Sequence, residues 1–149
     1  MLFNDQKDIK NFIQNKDNYT IISKETPLIS NLDITENISI IKEVHEFMPA
    51  KKANKITAKY LQKLNLSNIS LYRPIRCSDL EILQVMLIRA SMCKNQNIVI
   101  INPHYLINNL KDIKVIIENM KMMKDKDLLI LDTISNEVYY KGCSCHIVK

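Results

Sequence analysis

A single glycine, Gly142, stands in a chain of 149 residues. Glycine lets a backbone enter left-handed conformations and approach a ligand with no Cβ in the way, so a chain with one glycine is denied whole classes of site. Loops that cradle phosphates aim several backbone N–H groups at the anion and need glycines to do so. The G-x-x-x-x-G-K-[ST] and G-x-G-x-x-G patterns are therefore excluded by composition, a stronger exclusion than failing to spot a motif.

The chain must then be built from regular elements joined by Asn, Pro and Ser turns. Ile9, Phe12 and Ile13 predict a helix over 5–13, and YTIIS over 19–23 reads as a short strand closed off before Pro27. Ile34, Ile38, Ile41 and Val44 recur at helical spacing behind the polar Asp33, giving a helix over 33–48 that Pro49 ends. Lys52 to Leu64 repeats the pattern, and 65–70 links it onward. Ser78 with Glu81 three residues on is a capping box, followed by a buried helix to about Cys93. NIVII over 97–101 and LLILD over 128–132 are short runs of buried-strand type on either side of an amphipathic helix over 106–124. The segments 137–140 and 145–148 around Lys141-Gly142 suggest a hairpin.

With 46% hydrophobic and 25% charged residues the chain is globular, and its length suits one domain of about 100–200 residues. The formal charge of +5 raises nucleic acid or an anionic membrane as partners, but the lysines are mostly interleaved with acids. Lys51, Lys52, Lys55 and Lys59 form the one notable run, which at helical spacing reads as a solvated face, so no nucleic-acid partner is expected. The N-terminus has no basic start leading into an apolar core, and no run approaches the roughly 18 apolar residues that span a bilayer. We expect a cytoplasmic protein whose membrane association comes through a partner.

Cys77, Cys93, Cys143 and Cys145 lack a disulfide-framework spacing and read as free thiols. Cys143, Cys145 and His146 are weak metal-ligand candidates, because a structural zinc site takes four ligands and no second pair completes the set. His45 and His104 invite an acid–base role that Asp132 could orient, yet no nucleophile–base–orienter set is visible. Ser78 lacks the glycine-flanked elbow of a nucleophile, and an N-cap explains it. Met120, Met122 and Met123 read as core filler or a soft contact surface.

Several phrases fall in one order. SKETPLISNLDITENISI over 23–40 carries Asn31, Leu32, Ile34, Glu36, Asn37 and Ile38, and YLQKLNL over 60–66 precedes CSDLE over 77–81. Val85, Leu87, Arg89 and Ala90 follow, then NIVIINP over 97–103. In this order, and with the distance from Ala90 to Pro103, the chain resembles the nucleotide-binding subunit of ABC transporters over nearly its whole length, beginning after the family's phosphate loop. The resemblance implies a shortened P-loop-NTPase-like α/β fold: a small parallel or mixed sheet, a helical subdomain over about 35–93 and the C-terminal hairpin.

The same resemblance places the family's working residues, and nearly all are replaced. The Q-loop glutamine falls at Lys24, which cannot both donate and accept as an amide does. In the signature Ser78 and Glu81 match, but Asp79 and Leu80 stand for two glycines and would repel and obstruct a γ-phosphate. The metal-holding Asp becomes Ile101, the general-base Glu becomes Asn102, and only Pro103 is kept. The D-loop Asp falls at Asn108, and Thr133, Ile134 and Ser135 stand where the switch histidine would be.

The resemblance therefore implies a non-catalytic subunit that uses no cofactor, at the cytoplasmic face of an inner membrane in an ABC system, with a loose likeness to lipid-trafficking systems. Its partner would be a membrane permease or a homologous active ATPase subunit, with a homodimer also open. A sheet edge left uncovered invites such pairing. The candidate contact segment is Lys24, Glu25, Thr26, Pro27, Leu28, Ile29 and Leu32. The alternative is a free-standing scaffold that keeps only the fold.

Overall fold

A computed structural model describes every residue except Asn15, Asn109, Lys111, Asp112, Met122, Lys124 and Lys149. The chain runs β1 (Leu2–Phe3), α1 (Gln6–Gln14), β2 (Tyr19–Ile22), α2 (Ile34–Glu46), α3 (Ala50–Lys63), α4 (Asp79–Ser91), β3 (Asn97–Ile101), α5 (Lys114–Lys121) and β4 (Asp127–Thr133). It divides into two compact units, Met1–Glu25 with Asn95–Lys149, and Thr26–Lys94.

The first unit is a four-stranded sheet in the order β1-β4-β3-β2, and every pairing in it is parallel. A parallel sheet is covered on both faces, which is why NIVII is apolar throughout rather than alternating. Val99 points to one face and joins Phe3, Ile9 and Leu131 in a core cluster with Phe12 of α1 packed against it. Ile98 and Ile100 point to the other face and are equally buried.

The second unit holds α2, α3 and α4, and its core includes Ile34, Ile38, Leu61, Leu83 and Leu87. Asp33 and Glu36 form a capping box at the start of α2, and Ser78 and Glu81 form the one expected at the start of α4. It is Phe47, in a left-handed conformation, that ends α2, while Pro49 caps the start of α3. Among the described residues no helix is long and apolar enough to cross a membrane.

Three expectations are corrected. The predicted helix over 106–124 is short: a 3₁₀ turn occupies Pro103–Tyr105 and α5 begins only at Lys114. Met122 lies outside the described residues, while Met120 and Met123 are buried. The predicted hairpin does not form. Ile134–Tyr140 coil as a 3₁₀-helix, because Asn136 and Tyr140 both reach back to the Asp132 carboxylate. The C-terminal partner strand is instead a parallel bridge from Ile147 to Leu2, with Leu2 N–H donating to the His146 carbonyl and Val148 N–H to the Leu2 carbonyl. That bridge lies along the β1 edge of the sheet, so of the two edge strands, β1 and β2, it is β1 that gains a neighbour.

Candidate functional site

In an open parallel sheet the carboxyl ends of the strands are where backbone groups and side chains are left free to meet a ligand. Here the ends of β1, β3 and β4 can be followed residue by residue.

β1 passes through Asn4 and Asp5 straight into α1. Strand, loop, helix is the arrangement on which phosphate loops are built. The loop here is the two residues Asn4 and Asp5. The Asp5 carboxylate accepts from the backbone N–H groups of Lys7 at 2.8 Å and Asp8 at 2.9 Å. The amides that a helix N-terminus would offer to an anion are therefore engaged by the chain's own carboxylate.

β3 ends at Ile101, whose hydrocarbon packs against the core cluster, and Asn102 follows with φ 48°. Asparagine tolerates this left-handed conformation better than most residues. Asn102 is buried, its N–H donates to the Leu131 carbonyl at 2.9 Å, and its side chain exchanges two hydrogen bonds with Gln6 at 3.1 and 2.7 Å. Beside this pair lies a cleft of about 300 Å³ lined by Gln6, Lys10, Lys24, Glu25, Ile101, Asn102 and Tyr105. Lys24, assigned from sequence to one motif, and Ile101 and Asn102, assigned to another, thus meet at one cleft. A hydrogen bond from Ser23 holds the Glu25 carboxyl below its ordinary range, with Lys10 and Lys24 adding to the effect. The cleft therefore carries one carboxylate among two ammonium groups.

β4 brings Asp132 to its carboxyl end, almost fully buried. Its Oδ1 accepts from Thr133 N–H at 2.7 Å and Asn136 Nδ2 at 2.8 Å. Its Oδ2 accepts from the Tyr140 hydroxyl at 2.7 Å and lies 3.2 Å from His104 Nδ1. Burial, then the bond to Asp132, drives the Tyr140 phenol far above its ordinary value, so the hydroxyl is held as a donor. Of the two histidines, it is His104 that Asp132 orients, while His45 is exposed in the other unit. The hydroxyls of Thr133 and Ser135 are bonded to each other at 2.8 Å. Base and orienter are thus present in a carboxylate cage that ties together the corners after β3 and β4.

In the second unit the signature-like residues sit at the start of α4. Ser78 N–H donates to Glu81 Oε2 at 2.7 Å and Glu81 N–H to Ser78 Oγ at 3.3 Å. Asp79 and Leu80 fill the first turn, so this helix start carries an acid and a bulky apolar side chain at the two positions that resemble the family's glycines. The segment after residue 25 is fastened from two sides. Arg89 donates to the carbonyls of Thr26 at 2.8 Å and Pro27 at 3.0 Å, and buried Asn37 accepts from Ile29 N–H and donates to the Ile29, Leu32 and Asp33 carbonyls. Leu28 is buried, while Pro27 and Ile29 are exposed. In the sequence Asn37 and Arg89 stand out only through the family resemblance, because the bonds they make, eight residues back from Asn37 and more than sixty back from Arg89, leave no local signal.

Asn108 is exposed in the loop before α5. Cys143 and Cys145 line a hollow of about 650 Å³ with Glu137, Tyr140 and Gly142, and His146 is exposed. Burial raises the Cys145 thiol, which disfavours the thiolate that a metal requires. Among the described residues no group of three His, Cys, Asp or Glu side chains is placed to hold a metal ion.

No protein-family model matches the chain. No curated protein matches it either. Among solved structures it is similar to the ATP-binding cassette MJ0796, solved as a dimer in a post-hydrolysis state bound to ADP and Pi, with a TM-score of 0.60 and 17% identity. The match covers 91% of this chain and 60% of that one, so the chain spans under two thirds of the length of its neighbour. At this identity the likeness is one of fold, and the fold is a small-sheet α/β domain of the ABC ATPase type.

Proposed function

We propose that this chain is a non-catalytic ABC ATPase-like subunit, a structural or regulatory component of an ABC transport system whose partner is a membrane permease or a homologous active ATPase. The observation that carries the reading is the β1–α1 junction, where Asp5 occupies the helix amides that would receive phosphate. The residues around it agree. Ile101 offers no ligand atom to magnesium, Asn102 has no basic carboxylate and is tied to Gln6, and Lys24 replaces a neutral amide. A magnesium–nucleoside triphosphate does not fit this donor set.

Thr26 to Leu32, braced by Arg89 and Asn37, supplies the docking segment, with Pro27 and Ile29 facing outward. The solved neighbour is a dimer, which makes self-association the simplest alternative pairing. Calorimetric titration with magnesium and ATP tests the catalytic half of the proposal: no heat of binding is expected, and micromolar affinity overturns it. Affinity purification after mild detergent extraction tests the partner half. Recovery of a permease or an ATPase subunit supports it, and recovery of neither favours a free-standing scaffold.

A further inference from the structure

α3 carries Lys51, Lys52, Lys55, Lys59 and Lys63 and no acidic residue. At about 100° per residue these five fall within roughly a third of the helix circumference, opposite buried Ala53, Thr57 and Leu61. All five are exposed. With Glu46 as the one carboxylate between Val44 and Lys63, this stretch carries a net charge of +4, against +5 for the whole chain. Glu46 is bridged to Lys42 at 2.6 Å, and the field of Lys52 helps to hold its carboxyl low. Among the described residues Lys51, Lys55 and Lys59 have no acid within ion-pair distance. Like charges at i,i+4 weaken a helix, so the arrangement needs a reason outside the helix.

A second observation adjoins the first. The α2–α3 turn places Phe47 at φ 50°, a strained conformation for an aromatic residue, with 90% of its surface exposed, and Val44 one turn earlier is 58% exposed. Basic residues beside an exposed aromatic residue are the two signals that together hold a protein at a lipid interface. The face has no arginine, the residue favoured for planar recognition of nucleic-acid phosphates, whereas lysine suits a diffuse headgroup field.

We propose that the α2–α3 turn and the lysine face of α3 form a docking surface for an anionic phospholipid bilayer, with Phe47 and Val44 entering the headgroup boundary and Lys51, Lys52, Lys55 and Lys59 facing the phosphates. This contact needs no permease, so it stands or falls separately from the function proposed above.

The test is co-sedimentation of the full chain with vesicles of phosphatidylcholine alone or mixed equally with phosphatidylglycerol. Binding is expected on the mixed vesicles only, and to weaken as salt is raised. The triple change Lys51→Gln, Lys55→Gln, Lys59→Gln is expected to weaken it about a hundredfold, and Phe47→Ser about tenfold. Equal partition onto neutral vesicles, no partition onto mixed ones, or indifference to the triple change overturns the proposal. Tighter capture by a double-stranded DNA oligonucleotide, unaffected by Phe47→Ser, also overturns it, in favour of a nucleic-acid surface.

Discussion

Gln6 and Asn102 exchange both hydrogen bonds their side-chain amides can share, fastening the first turn of α1 to the end of β3. The position that resembles the family's general base is therefore spent on a structural tie. Asn102→Ala removes the tie and leaves a less tolerant residue in the left-handed backbone, so it is expected to cost about 2 kcal/mol. Asn102→Gly removes the tie but relieves the backbone, and is expected to cost less. A double-mutant cycle with Gln6→Ala in urea is expected to give a coupling of about 1 kcal/mol; a coupling near zero would show that the two amides act independently.

Replacing Ile101 with Asp and Asn102 with Glu restores the letters of the family motif without the site. The new Asp would sit against the apolar cluster of Phe3, Val99 and Leu131, and the helix amides would remain held by Asp5. The double variant is expected to be less stable than the parent and to release phosphate from ATP no faster than a blank. Turnover above the blank would show that the α1 amides are available after all.

The strands β2, β3 and β4 were legible because short apolar runs are bounded by turn residues, and α2 and α4 because Asp33 and Ser78 sit where caps belong. β1 was not, since two residues carry no period. The stretch before α5 kept a helical pattern of apolar residues, but the side chain of Asn108 is of a type that competes with helical backbone bonds. The segment after β4 looked like a strand from its residue types; the buried Asp132 carboxylate drew Asn136 and Tyr140 into a coil instead. Of the cleft, Lys24, Ile101 and Asn102 were found through motif register, whereas Gln6 and Lys10 lie far from them in sequence and were found only by folding.

Tyr140 makes stability depend on alkaline pH. Its phenol is raised above the ordinary value of 10.0 by burial and by donation to Asp132. A group whose folded pKa exceeds its unfolded one holds more protons when folded, so its contribution is complete below that ordinary value and is lost as pH rises beyond it. The parent is expected to lose stability from about pH 10 upward, the ordinary tyrosine range. Tyr140→Phe is expected to cost about 1–2 kcal/mol at neutral pH, leaving Asp132 one donor short, and to flatten the alkaline decline. Urea midpoints measured across that range decide it, and parallel curves would remove Tyr140 as the cause.

Ser78 is expected to act as a cap and nothing more. Ser78→Ala removes the acceptor for Glu81 N–H and should cost about 1 kcal/mol. Ser78→Asp keeps an acceptor, and despite Asp79 and Glu81 nearby should recover most of that loss through the helix dipole. Thermal melts of the two variants beside the parent check the order, and a larger loss in Ser78→Asp than in Ser78→Ala would contradict it.

Thr57 sits fully buried on the inner face of α3, and its Oγ1 has no hydrogen-bond partner among the described residues. A buried hydroxyl left unpaired forfeits its hydration without recompense, so replacing it by a methyl group of similar shape should be favourable. Thr57→Val keeps the branching at Cβ and nearly the same helix propensity, which leaves desolvation as the main difference. It is expected to raise stability by about 1 kcal/mol, read as a shift of the urea midpoint with an unchanged slope. Thr57→Ala gains helix propensity but opens a small void, so it should fall between Val and the parent. If Thr57→Val instead destabilises by about 1 kcal/mol, the hydroxyl is bonded in solution, with a buried water as the natural partner.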